Sequence, residues 1–155
     1  MPLYVAASEN FASADTHGES KPWWETPYGR WRLSAETQAM QRFPQFTPHQ
    51  SEEGDLCWVG RLRSGLPAGE RYLVNVTYPT RFPDQAPEVR IEEPEISSST
   101  PHLLSGGRPC LYHGGPDRGY DPARTTAATL VAWTALWIHA YETWRETGDW
   151  PGKEE

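Results

Sequence analysis

The stretch RYLVNVTYPTRFPDQAPEVRIEE, residues 71–93, carries the clearest structural signal in this chain of 155 residues. Its first part alternates large apolar side chains with others, which is the period-two pattern of a half-buried strand. The apolar positions are Tyr72, Val74, Val76 and Tyr78. Recurrent prolines exclude a central strand over residues 79–87. Residues 88–93 then predict another strand, with Val89 and Ile91 on one face.

Two segments upstream extend this pattern. LCWVGRL, residues 56–62, predicts a preceding strand, and SGLPAGE, residues 64–70, has the composition of a turn that joins it to residue 71. Short consecutive strands joined by turns indicate an antiparallel meander. Residues 94–124 show no periodic element. An irregular segment of that length in a small domain is usually functional or disordered.

A helix is predicted before the strands. Pro27 and Gly29 punctuate its start, and Pro44 stops it after Phe43. Residues that recur at helical spacing are expected to face the core, and charged residues between them are expected to face water. The core set is Trp31, Ala35, Ala39 and Met40, and the water-facing set is Arg30, Glu36 and Arg42.

A longer helix is predicted near the C-terminus. Thr125 or Thr126 is suited to cap its start, and Gly148 to end it. One face carries a broad apolar stripe that should pack on a core. The stripe consists of Leu130, Trp133, Trp137, Tyr141 and Trp144.

The predicted fold is therefore α+β, with an N-terminal helix, an antiparallel meander sheet, a long loop and a long C-terminal helix. Residues 22–155 are expected to form a single domain, which is an ordinary size for one core. Residues 1–21 are small and polar with few apolar side chains. We expect them to form a poorly ordered arm.

Composition excludes several classes of function. The net charge is −7, and no block of lysine and arginine is present, which argues against nucleic acid and anionic membranes as partners. No run of 18 apolar residues predicts a membrane span, and the first 21 residues do not have the pattern of a secretory signal. Two cysteines make no disulfide framework. These features predict a reducing, cytoplasmic location.

The irregular segment contains TPHLLSGGRPCLYHGG, residues 100–115, with Cys110 among glycines and a proline. A zinc site needs about four ligands, so Cys110 and His113 alone predict no metal. The glycine-rich runs lack the Lys-Ser/Thr ending of a phosphate-binding loop, so no nucleotide or other cofactor is expected. Cys110 is either a small buried hydrophobe or a nucleophile. Cys57, beside Trp58 in an apolar strand, is expected to be a silent core thiol.

The ordered set of these features resembles the ubiquitin-conjugating enzymes. The proline-rich turn at 78–87 is similar to their YP-x-x-FP-x-x-x-P turn, and Thr100-Pro101-His102 stands where they have His-Pro-Asn. Cys110 follows eight residues later, which is the offset of their catalytic cysteine. Residues 120–123, YDPA, resemble their Trp-Ser-Pro-Ala segment. The tryptophan-rich ending is similar to the stand-alone bacterial conjugating-enzyme-like proteins of CBASS antiphage operons.

The resemblance implies that Cys110 is a thioester carrier. It would accept the activated C-terminal glycine of a cargo protein from an activating enzyme, or use an acyl donor directly, and pass the acyl group to an acceptor lysine. The implied cargo is a cGAS-like nucleotidyltransferase or a ubiquitin-like protein. A carrier thiol needs no dedicated general base beside it, which fits a chain with no evident Cys-His-Asp set.

Other residues of the loop are candidates for supporting roles. His102 replaces the family's Asn, and its imidazole is interpreted either as an oxyanion or loop support or as purely structural. His113, Asp117 and Asp121 are candidates for contacting the acceptor amine or steadying the loop. The plainer interpretation of the two aspartates is that Asp117 lies in a turn and Asp121 caps a helix.

Two alternative functions remain open. Inactive relatives of this fold bind ubiquitin-like proteins or peptides without chemistry, and the altered tripeptide is consistent with such a binding module. A thiol hydrolase that cleaves acyl or isopeptide bonds would need an aligned histidine and an orienting carboxylate. His102 and Asp121 are the candidates for that pair.

Overall fold

The computed structural model describes residues 21–65, 69–111 and 119–152. A four-stranded antiparallel sheet has the order β1-β2-β3-β4, and a separate two-stranded hairpin, β5-β6, follows it. The strands are β1 (Thr47–Gln50), β2 (Leu56–Arg63), β3 (Arg71–Thr77), β4 (Glu88–Glu93), β5 (Leu103–Leu104) and β6 (Arg108–Pro109); the helices are α1 (Pro27–Ala39) and α2 (Ala127–Thr147). The predicted α+β class and antiparallel meander are confirmed.

Strand β3 forms the centre of the core. Tyr72, Val74 and Val76 have no exposed surface, and the side chains between them are half-buried, as the alternation in the sequence predicts. Val74 lies opposite Gly60 of β2 and Ile91 of β4. Gly60 has no room for a side chain, because a Cβ there would lie 2.6 Å from the Phe46 ring.

The C-terminal helix begins and ends where the sequence predicts. The Thr126 hydroxyl accepts the Thr129 N–H and caps α2. Gly148 ends the helix in the left-handed conformation, with φ of +83°, and donates its N–H to the Trp144 carbonyl. Trp137 and Tyr141 of the predicted stripe are buried against the sheet side of the core.

The predicted faces of α1 are wrong in two places. Trp31 is 63% exposed, whereas Glu36 is completely buried and Arg32 nearly so. The buried side of α1 is formed instead by Arg32, Leu33 and Glu36, followed by Met40 in a short 3-10 turn, residues 40–42. Arg32 and Glu36 can be buried on this side because other parts of the protein provide hydrogen-bond partners for their charges.

Glu36 is the centre of a buried hydrogen-bond network. Its Oε1 accepts the Tyr78 hydroxyl at 2.7 Å and the backbone N–H of Ala127 at 2.8 Å. Its Oε2 accepts the Arg32 Nε–H at 3.0 Å. Burial and the nearby Glu36 carboxylate raise the pKa of Tyr78 well above its usual value, so the phenol keeps its proton and acts as a donor.

Arg32 extends the network to the loop before α2. Its two terminal nitrogens donate to the Pro122 carbonyl at 2.6 Å and the Thr125 carbonyl at 2.8 Å. Its guanidinium also lies over the Phe82 ring, 4.8 Å from the centroid. Burial alone lowers the pKa of Arg32, but hydrogen bonds to Tyr28 and Glu36 raise it above its usual value. Arg32 therefore keeps its charge, and its hydrogen bonds fix residues 122–125, which follow the loop that carries Cys110 (the cysteine loop).

The sequence pattern missed three short strands. β1 pairs with β2 at the sheet edge, but TPHQ has neither apolar alternation nor β-branched runs, and Pro48 is tolerated because the strand is an edge. β5 and β6 are two residues each and lie in the segment predicted to have no regular element.

Helix α1 ends earlier than predicted. It gives way to the 3-10 turn after Ala39, four residues before the predicted end at Phe43.

The predicted N-terminal arm, residues 1–21, lies outside the described residues apart from Lys21. In the described part of the chain, α1 and α2 are both too short or too polar to cross a membrane.

The network predicts that replacing two buried glutamates by glutamine lowers the free energy of unfolding by unequal amounts. Glu36→Gln leaves the buried Arg32 charge without its counterion, so we expect a loss of about 3–5 kcal/mol in the free energy of unfolding. Glu142 is also buried, but its carboxylate accepts hydrogen bonds from the uncharged hydroxyls of Tyr72 and Ser64. Glu142→Gln should cost about 1–2 kcal/mol. Urea denaturation at pH 7 measures both, and equal losses would contradict this account of the Arg32–Glu36 pair.

Candidate active site around Cys110

The β5-β6 hairpin places Cys110 immediately after its second strand. The hairpin covers the free edge of β4, since the Gly107 carbonyl accepts the Ile91 N–H at 2.8 Å. Gly107 has φ of +75°, and a Cβ there would lie 2.9 Å from the Ile91 carbonyl oxygen, so only glycine fits. The glycine at position 107 is therefore required by the close approach of the hairpin to the sheet.

The backbone of Cys110 is held by His102. The Cys110 N–H donates to the His102 carbonyl at 2.9 Å. The same carbonyl accepts the indole N–H of Trp137, also at 2.9 Å. The turn that precedes the cysteine is thus tied to the buried face of α2.

A cleft of about 530 Å³ opens beside the Cys110 side chain, which is half-buried and forms part of its wall. One side is formed by the segment between β3 and β4, including Pro87, and by Val89 of β4, and the hairpin forms the other side, including Leu104. The lining is mainly apolar, as in many binding sites. Tyr120 also lines the cleft and donates its hydroxyl to the Pro83 carbonyl at 2.5 Å.

Charged residues attach the hairpin to β4. The Glu88 carboxylate lies 3.2 Å from an Arg90 nitrogen and 3.3 Å from an Arg108 nitrogen. Arg90 also donates to the Gly106 carbonyl at 2.9 Å. Each exposed pair contributes little stability by itself, but together they fix the hairpin and neutralise the Glu88 charge at the cleft.

The two cysteines differ in environment. Cys57 lies in β2 and is 5% exposed, as predicted for a core thiol. Burial is the main cause that raises the pKa of Cys57 to about 11, and the nearby carboxylates of Asp55 and Glu92 also raise it. At neutral pH this thiol is protonated and inaccessible. Cys110 is the cysteine that a second molecule can reach through the cleft.

The remaining predicted site residues have identifiable surroundings. The His102 imidazole is exposed to solvent and packs on Trp150, with ring centroids 4.9 Å apart. The Asp121 carboxylate accepts the Ala123 N–H at 3.0 Å and lies 3.9 Å from the Arg124 Nε. Asp121 thus caps the turn before α2, whereas Thr126 caps the helix itself. His113 and Asp117 lie outside the described residues.

The sequence did not predict that Trp137 and Leu104 belong to the site. Trp137 was interpreted only as part of the core stripe, yet its N–H reaches the cysteine loop. Leu104 is 43% exposed at the cleft, where its sequence context gives no signal of its position. Over the described ranges 21–65, 69–111 and 119–152, no cluster of three or more histidine, cysteine or acidic side chains is arranged to hold a metal.

Comparison with known proteins gives the same fold. The yeast Vps23 UEV domain, solved with a Vps27 PSDP peptide, is 18% identical over 83% of this chain and 86% of that one, with a TM-score of 0.55. Human ubiquitin-conjugating enzyme E2 G1 is 17% identical over 73% of this chain and 96% of that one, with a TM-score of 0.51. No protein of curated function matches the chain.

These identities are low, so the two solved structures show the fold alone. A family model is more specific, because it matches residues 36–155 and therefore includes the sheet, the cysteine loop and α2. The resemblance to ubiquitin-conjugating enzymes and to their CBASS relatives is confirmed at this level. The chain belongs to the family of Type II CBASS E2 proteins.

Proposed function

We propose that the protein is a thioester carrier and transferase in a bacterial CBASS antiphage system, with Cys110 as its nucleophile. The position of Cys110 carries this proposal. The thiol lies in the wall of an apolar cleft, on a loop that is fixed to the core at both ends, in a chain of a conjugating-enzyme family. Cys57, the other thiol, is buried.

The reaction has two acyl-transfer steps. In the first, Cys110 loses its proton to solvent and Sγ attacks the carbonyl carbon of an activated C-terminal glycine, supplied as a thioester or acyl adenylate by a partner. A C–S bond forms, and the donor's thiolate or AMP leaves. In the second, a deprotonated lysine amine attacks that carbon and a C–N bond forms. The C–S bond then breaks, Cys110 leaves as a thiolate, and the nitrogen loses a proton to solvent or to a nearby base.

The cargo in this proposal is a cGAS-like nucleotidyltransferase or a ubiquitin-like protein, joined through its C-terminus. His102 supports the loop or the oxyanion, and His113, Asp117 and Asp121 are candidates for contacting the incoming lysine or accepting its proton. We place the reaction in the cytoplasm, where the thiol stays reduced.

A binding module without chemistry is the second candidate. It is favoured by one observation: the Vps23 UEV domain, which has a similar fold, is seen in complexes with a peptide and with ubiquitin. A thiol hydrolase has less support. His102 packs on Trp150 and the Asp121 carboxylate bonds to its own turn, so each member of the required pair has its contacts elsewhere.

Replacing the nucleophile separates the carrier from the binding module. With the proteins of its operon present, we expect the wild type to acquire a protein-sized adduct that thiols remove. Cys110→Ser should carry an oxyester that only hydroxide removes, because an alkoxide is a poorer leaving group in exchange with thiols. Cys57→Ser is the matched control and should behave as the wild type. Intact mass under non-reducing conditions measures all three. A wild type at 17.6 kDa with every neighbour present favours the binding module.

The apolar cleft predicts how the cargo is bound. If its C-terminal segment lies along Leu104, Leu104→Ser should slow adduct formation about tenfold at limiting cargo, because about 1.5 kcal/mol or more of apolar contact is lost. The free energy of unfolding should change little, since Leu104 is already exposed. Leu136→Ser is the matched control, because Leu136 is 69% exposed on α2 and does not line the cleft. Equal rates for the two variants would show that the cargo does not use this wall.

A further inference from the structure

The His102 carbonyl accepts two hydrogen bonds from different parts of the protein. One donor is the Cys110 N–H, and the other is the Trp137 indole, each at 2.9 Å. Trp137 is 5% exposed and stacks on Tyr141, with centroids 5.3 Å apart and ring planes 13° apart. A single carbonyl therefore connects a rigid side chain of the core to the backbone of the cysteine.

The backbone at His102 needs such support. It has φ of +58°, which is unusual for a residue with a side chain, and no other non-glycine residue of the described ranges has a positive φ. Conformations of this kind are unfavourable and persist only where neighbouring groups fix them. They concentrate at functional sites, and here the residue lies next to the cysteine loop.

The segment after α2 contacts the same residue from the other side. Gly148 turns the chain back, and Trp150 packs its ring on the His102 imidazole. Trp150 is also 5.4 Å from Trp137 and 6.4 Å from Trp144, measured between ring centroids. The two tryptophans thus hold both the main chain and the side chain of His102.

We propose that Trp137 and Trp150 are positioning residues for Cys110 and act through His102. Trp137 fixes the carbonyl to which the Cys110 N–H bonds, and Trp150 fixes the imidazole. The inference rests on the proposed carrier function of Cys110. Acyl transfer is sensitive to the position of the nucleophile, and a displacement of about 1 Å can cost a hundredfold in rate. Through these contacts the C-terminal helix and its following turn form part of the active site.

Trp137→Phe tests the carbonyl contact, because it keeps an aromatic ring and removes the N–H. We expect the Cys110 amide to exchange with solvent about three- to tenfold faster, and thioester formation to slow by a similar factor. Trp58→Phe is the matched control: Trp58 is equally buried and donates its indole N–H to Tyr78 at 2.9 Å, away from the cysteine loop. It should lower stability comparably and leave the Cys110 amide and the rate unchanged.

Trp150→Ala tests the contact with the imidazole. Trp150 lies beyond the end of α2, so the helix should persist in circular dichroism. We expect slower thioester formation and faster exchange of the Cys110 amide. Trp150→Phe keeps a ring against His102 and should restore both quantities to within about twofold of the wild type. If Trp150 served only overall stability, Trp150→Ala would speed exchange of amides throughout the domain and not selectively at Cys110.

The outcomes separate this inference from the proposed function. NMR measures amide exchange at Cys110 without any cargo being present. Wild-type exchange or wild-type thioester formation in both Trp137→Phe and Trp150→Ala overturns the positioning role while the carrier function stands. A wild type that forms no adduct with any operon protein overturns the carrier function, and the positioning role for that reaction falls with it.

Discussion

One buried carboxylate joins most of this protein together. Glu36 accepts hydrogen bonds from its own helix, from the end of β3 and from the first residue of α2. Burying a charge is costly unless every lone pair is satisfied, and a half-satisfied network is worse than an apolar core. Here the counterion Arg32 and the positive N-terminal end of α2 both lie against the carboxylate, so its charge is compensated. The burial of Glu36 therefore depends on all three of these elements being in place.

The same network determines where the cysteine loop can lie. Arg32 holds the carbonyls of Pro122 and Thr125, which fixes the chain on the C-terminal side of the loop. Trp137 holds the His102 carbonyl, which fixes the chain on the N-terminal side. Both anchors reach α2, one at its start and one halfway along it. Cys110 thus lies on an irregular segment whose two ends are attached to regular structure, as functional loops usually are.

Strands β2, β3 and β4 and helix α2 could be predicted from the sequence because their signals are local, such as the alternation in β3 and the threonine cap and glycine stop of α2. Cys110 was chosen as the candidate nucleophile from its offset in a family resemblance. Glu36 could not be placed, because an Arg–Glu pair four residues apart is also the usual surface pattern. Its partners lie 42 and 91 residues away, so its burial is a property of the tertiary structure. The same is true of Trp137, whose acceptor is 35 residues away.

The substitution at position 102 is intelligible from the backbone. Asparagine and histidine adopt a left-handed conformation more often than most residues with side chains, and the chain has histidine where the enzymes that it resembles have asparagine. What Cys110 contacts is the carbonyl of this residue, which every amino acid supplies. In this protein the left-handed backbone of His102 directs that carbonyl toward both donors. The side chain at 102 takes no direct part in the bond to Cys110; in this protein it packs on Trp150, which helps to hold the residue in place. At position 102, the backbone conformation therefore limits the choice of residue more than the chemistry of the side chain does.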